Sequence, residues 1–143
     1  MQVSENSPLP PAPELWGDPN SDPDLASVME LFLGKTKEDI FSLLEDNYLI
    51  RCLDLGAMPD SVLGYYGLGF AEFLFRDDID EERFGVLLGA FLDATSNRFN
   101  FWQNATPLLQ KFTERVDISG MNGENKAELT EELDAIRSRI FVP

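Results

Sequence analysis

At 143 residues the chain is the size of one ordinary domain, and 43% apolar content with eleven Phe and two Trp is enough for a real core. Its charge is extreme: 26 acidic residues against 11 basic ones, with no histidine, give a formal net charge of −15, well beyond the few units usual for a small soluble domain. That balance argues against phosphate backbones and anionic lipid headgroups, which are held through Lys and Arg, and for a cationic protein surface.

The chain opens on a segment rich in proline. Pro8, Pro10, Pro11, Pro13, Pro19 and Pro23 are six of its nine prolines, and no Lys or Arg stands among them. Proline interrupts helices and biases the preceding residue toward extended backbone, so residues 1–22 read as an extended or disordered acidic arm. Leu15 and Trp16 are its exceptions, an apolar pair that docks on its own domain or on a partner. The opening MQVSENSPLPPAPELW lacks the basic and apolar stretches of a signal peptide. No apolar run approaches the roughly 18 residues of a membrane span. A cytoplasmic protein is expected.

Residues 23–143 read as one helical domain. Asp22 suits a helix N-cap with Pro23 at the first helical position, and Val28, Leu31 and Phe32 form an apolar stripe that Gly34 ends. A second helix starts at Thr36 and carries Ile40, Phe41, Leu43 and Leu44. After a break near Asn47, Leu49, Ile50 and Leu53 continue what reads as a wide buried face. Asp60 or Ser61 caps a third helix through Leu63, Tyr66, Phe70, Phe73 and Leu74. Asp80 caps a fourth, where Phe84, Leu87, Leu88, Phe91 and Leu92 fall at i, i+3, i+4, i+7 and i+8. Thr106 caps a fifth, with Pro107 at its first helical position and Leu108, Leu109, Phe112 and Val116 inward. The stretch DISGMNGEN is a loop by its Gly and Asn content. The last helix runs from about Lys126 to Ile140 on Leu129, Leu133, Ile136 and Ile140. With no sustained period-two run, the expected fold is all-α: a compact bundle of about five to six helices with an extended Pro-rich N-terminal arm.

No catalytic set emerges. Hydroxyl and thiol nucleophiles usually need a nearby base, most often His, and there is none. Cys52, the single cysteine, excludes an intramolecular disulfide and reads as a small buried hydrophobe in YLIRCLDL. Asp18, Asn20, Asp22 and Asp24 alternate like the start of an EF-hand. However, Pro23 stands where the loop needs Gly, and Met29 where it needs a bidentate Glu. Gly64, Gly67 and Gly69 follow no strand and precede no Lys-Ser or Lys-Thr, so they are not a phosphate loop; close helix packing suits them better. No enzyme activity, metal or cofactor is expected.

Two features remain as partner-binding candidates. One is acidic: Asp77, Asp78, Asp80, Glu81 and Glu82, with Glu128, Glu131, Glu132 and Asp134 on the last helix. The first group also suits the cap and first turn of a helix, where carboxylates are favoured. The other is aromatic: Phe99, Phe101 and Trp102 in RFNFWQN serve either as an interface anchor or as a plug at the end of the fourth helix.

The stretches FLGKTKEDIFSLLEDN, CLDLGAMPDSVLGYYGLGFAEFLF, LLGAFLDATSNRF and PLLQKFTERV resemble a loose group of small bacterial helical proteins. Many of these look like immunity proteins for polymorphic or contact-dependent toxins. The shared pattern is a Phe-Leu-Gly-Lys opening, a Leu-Asp-Leu turn before Met, and a Tyr-Tyr helix ending in Phe-Leu; it covers somewhat over half the chain. The resemblance implies inhibition of a protein by occlusion and carries no individual residue with it. The expected function is therefore an acidic inhibitor that binds a basic partner, a nucleic-acid-targeting toxin domain. It would contact neither nucleic acid nor membrane, and its oligomeric state is open. The alternative is a structural or adaptor subunit, for example of a homo-oligomer, without inhibitory role.

Overall fold

The structure, a computed structural model, describes residues 9–140, and every regular element among them is helical. In order these are α1 (Pro13–Trp16), a 3-10 turn (Pro19–Ser21), α2 (Pro23–Phe32), α3 (Phe41–Leu55), α4 (Asp60–Leu74), α5 (Glu81–Thr95), α6 (Phe99–Asn104), α7 (Thr106–Ile118) and α8 (Gly123–Ile140). The chain divides into two units, residues 1–73 and 74–143. The all-α class stands, but the expected five to six helices become eight. The additions are α1 and α6, of four and six residues, too short for apolar periodicity to register. The first eight residues of the expected arm and the last three of the expected helical domain lie outside the described residues.

In the first unit, residues 9–22 carry α1 and the 3-10 turn rather than continuous extended chain. Pro13 occupies the first turn of α1, where its missing N–H costs nothing. Trp16 is 1% exposed, with its ring 5.7 Å from that of Tyr66, and the Ser61 hydroxyl donates to the Leu15 carbonyl at 2.9 Å. Asp18 and Asp22 are successive caps: each accepts, through Oδ1, the N–H two residues on, at 2.9 Å. The EF-hand-like alternation is thus two short capping turns in series.

Tyr66 closes the end of α2, its hydroxyl lying 2.6 Å from both the Phe32 and the Lys35 carbonyl. Between them Gly34, at φ 78°, makes the left-handed turn that stops the helix. Thr36 and Asp39 then form a capping box, each side chain accepting the other's backbone N–H. The resulting turn at 37–40 leads into α3. At Asn47 the backbone leaves helical geometry (φ −164°, ψ 80°), and its Oδ1 caps the restarted helix by accepting from Ile50 N–H at 3.2 Å.

The break expected near Asn47 is present, but its effect on the faces of α3 overturns the expected core. Tyr48, Cys52 and Leu55 turn inward, and Leu49, Ile50 and Leu53 are 47%, 47% and 76% exposed. Across α4, Gly69 provides a close approach: a Cβ there would lie 3.1 Å from Lys37 and 3.2 Å from Ile40 side-chain carbons, whereas one at Gly64 would meet nothing within 4 Å.

The second unit is built on α8, which packs against α5, α6 and α7. The stripe on α5 is buried at all five expected positions, as are Leu108, Leu109, Phe112 and Val116 of α7. Phe75 stacks on Phe112, with ring centroids 5.1 Å apart. Asp80 caps α5 as expected, accepting from Arg83 N–H at 2.8 Å. Thr106, expected as the cap of α7, is instead its first residue, behind Ala105. The last helix also begins earlier than Lys126, because Asn122 Oδ1 accepts from Asn125 N–H at 3.0 Å. The expected loop shrinks to residues 119–122.

Candidate functional site

Most of the acidic run at the start of α5 is engaged in holding the second unit together. Asp80 is the helix cap. Asp78 pairs with Arg76 at 3.0 Å. Glu81 Oε2 accepts the N–H of Gly120 at 2.7 Å, pinning the 119–122 loop, and a side chain at 120 would collide with that carboxylate. Asp77 and Glu82 are exposed. The capping reading therefore accounts for the position of this cluster, and all five of its members are exposed.

On α8, Glu128 and Glu131 are exposed, and Asp134 pairs with Arg137 at 2.9 Å. Glu132 is different. Its Oε2 is out of solvent and has no hydrogen-bond partner among the described residues. Burial pushes its pKa up to about 7, reinforced by Asp93 on α5 and by Glu128 and Glu131. Two facing carboxyls share a hydrogen bond only when one carries a proton, so Glu132 is partly neutral near pH 7 and is a poor anion for a partner.

The aromatic candidate is corrected. Phe101 and Trp102 are 4% and 0% exposed, edge-on to Phe91, and the Trp102 indole N–H donates to the Thr95 carbonyl at 2.9 Å. They plug the end of α5 and are core residues, not an interface anchor. Of the three only Phe99, 45% exposed, faces solvent. Cys52 is core too: burial is the main cause that pushes its pKa up to about 12, so thiolate is scarce at neutral pH.

A surface that the sequence did not indicate lies on the first unit. Beside the exposed residues of α3 is a pocket of roughly 380 Å³. Asp22 and Asp24 at the start of α2 and Asp54 near the end of α3 line it, together with Val28, Leu53 and Ala57. Arg51 Nε lies 3.3 Å from Asp54 Oδ2, within ion-pair range but not aligned as a hydrogen bond, so that buried oxygen has no donor. Burial raises the Asp54 pKa and Arg51 partly offsets the rise. Asp22 and Asp54 are 32 positions apart, so no local motif joins them. The one signal available was the break at Asn47, after which the apolar residues of α3 change sides.

Among the described residues, no group of three or more Asp, Glu or Cys gathers as a metal donor set, and no helix is long and apolar enough to cross a membrane. No protein-family model matches the chain, and no curated protein or solved structure matches it.

Proposed function

We propose that this protein is an acidic inhibitor that binds a basic partner in the cytoplasm and occludes its functional surface, as an immunity protein would against a nucleic-acid-targeting toxin domain. The observation that carries this reading is the distribution of charge. Of the net −15, residues 1–73 hold −10, from thirteen acids and three bases. Of those three bases, Lys37 and Arg51 are in ion pairs with Glu72 and Asp54. Self-repulsion at that density costs stability, which solubility alone does not require. A partner whose own surface is built to hold phosphate gains both association rate and register from such a field. The toxin class comes from the sequence resemblance alone. The protein acts in this reading by binding, without chemistry of its own.

The test is capture of partners by the tagged full-length chain from its source cells, at low and at high ionic strength, with mass spectrometry of what is retained. A single stoichiometric basic protein, released as salt rises, is the expected result. A neutral or acidic partner held equally at both salts would remove the electrostatic basis of the proposal.

A further inference from the structure

We propose that the partner's basic segment docks on the first unit, with its apolar side chains along Leu49, Ile50 and Leu53 of α3 and one lysine or arginine side chain in the pocket bordered by Asp22, Asp24 and Asp54. This rests on the basic-partner reading and names its site.

Three large aliphatic side chains within five positions of one helix, exposed by about half or more, are unusual on a surface helix, whose outer face is ordinarily polar. Covering their exposed parts with apolar side chains of a partner would remove that surface from water and form the dry centre of an interface. Leu53 belongs to both features, the most exposed of the strip and a wall of the pocket. An apolar strip that runs into an acidic pocket fits a segment with apolar residues on one face and a cation at its edge. The pocket adds charge: the carboxylates of Asp22, Asp24 and Asp54 line it, and the one cation beside them among the described residues is Arg51, 3.3 Å from Asp54. A lysine or arginine entering the pocket thus meets three carboxylates against a single guanidinium.

Charge selects among occupants. A second copy would bring together two units of formal charge −10 each. The chain's own first eight residues contain Glu5 and no base. A cationic, amphipathic partner segment is the occupant that both the strip and the pocket favour.

The experiment titrates the ¹⁵N-labelled full-length protein, at low salt, with a synthetic peptide of leucine and lysine spaced to form an amphipathic helix. A peptide of the same composition in scrambled order is the control. The amphipathic peptide is expected to shift resonances of residues 22–28 and 49–57 and to bind more tightly than the scrambled one. Leu53→Ser, at a position too exposed to affect folding, and the double variant Asp24→Asn with Asp54→Asn should each weaken binding by ~10-fold, about 1.4 kcal/mol. Glu128→Gln with Glu131→Gln should leave it within about twofold, as expected of charges outside the contact. Equal binding of the scrambled peptide, or shifts confined to residues 74–140, would overturn the docking site while leaving the basic-partner reading intact. Absence of binding by either peptide at low salt would overturn both. A dimer seen by light scattering and dissolved by Leu53→Ser would assign the strip to a second copy and also overturn the proposal.

Discussion

The two units contain the same number of acids, thirteen each, but three basic residues stand in the first and eight in the second. The densest acidic run in the sequence, residues 77–82, lies in the unit with the smaller net charge, and most of its carboxylates are occupied by a cap, a backbone N–H and an arginine. Net charge therefore follows where cations are missing, not where acids cluster. The tryptophans show the same contrast. Trp102 in the second unit has its indole N–H satisfied by Thr95, whereas that of Trp16 in the first is buried with no partner among the described residues. The second unit satisfies its tryptophan and most of its acidic run internally and leaves one buried carboxylate oxygen, on Glu132, without a partner among the described residues; the first leaves a buried tryptophan donor and an aspartate oxygen unmatched and carries the exposed strip on α3 as well.

The largest effect that would sharpen this contrast is on stability. Trp102→Ala should cost about 3–5 kcal/mol in denaturant unfolding, as for other large aromatics removed from a closed core. Trp16→Ala should cost closer to 2 kcal/mol, because the short segment around α1 can collapse onto the space left behind. Equal losses would mean that the two anchors are equivalent. Replacement by Phe isolates the indole N–H. Trp102→Phe loses a hydrogen bond worth about 1 kcal/mol, and Trp16→Phe removes an unsatisfied donor and should be closer to neutral.

A smaller effect concerns pH. Burial raises the folded-state pKa of Glu132 to about 7 from its ordinary value of 4.5, so between those values the folded chain holds a proton that the unfolded chain has released. The associated stability is fully present below pH 4.5 and is lost as pH rises through 7. With allowance for solvent screening of a carboxyl that is only part-buried, the loss is about 1 kcal/mol. Glu132→Gln should flatten that part of the profile in denaturant midpoints measured from pH 4.5 to 8, while the slope caused by general self-repulsion remains. An unchanged profile would show that the Asp93–Glu132 contact carries no proton.

The smallest effect tests close packing within α4. Gly64→Ala should stabilise by about 0.5–1 kcal/mol, since a helix interior prefers Ala and nothing lies within 4 Å. Gly69→Ala should not stabilise, because Lys37 and Ile40 would have to move. A gain at both positions would show that the approach at Gly69 is loose.

Where the apolar repeat is long the sequence was legible. All five positions of the α5 stripe are buried, and Asp22 and Asp80 cap where their local chemistry placed them. Legibility failed for two physical reasons. A helix of four or six residues never completes a second period, so α1 and α6 had no pattern to show, and Phe101 and Trp102 resembled a surface cluster. The other failures involve pairings distant in sequence or a change of phase. Glu81 meets Gly120 39 residues away, and the break at Asn47 rotates the remainder of α3 so that leucines assigned to the core face outward. The same residue types were consistent with either face; only the backbone geometry at Asn47 decided between them.

Cys52 gives the first unit a clock of its own. The thiol is buried beside Tyr48 and reacts only as thiolate, so an alkylating reagent can modify it only when that part of the chain opens. No other cysteine competes for the reagent. The labelling rate in native buffer thus reports, without denaturant, how much of the time the surroundings of Cys52 stand open. A bound partner that closes over the α3 surface should slow that rate in proportion to how strongly it favours the closed form.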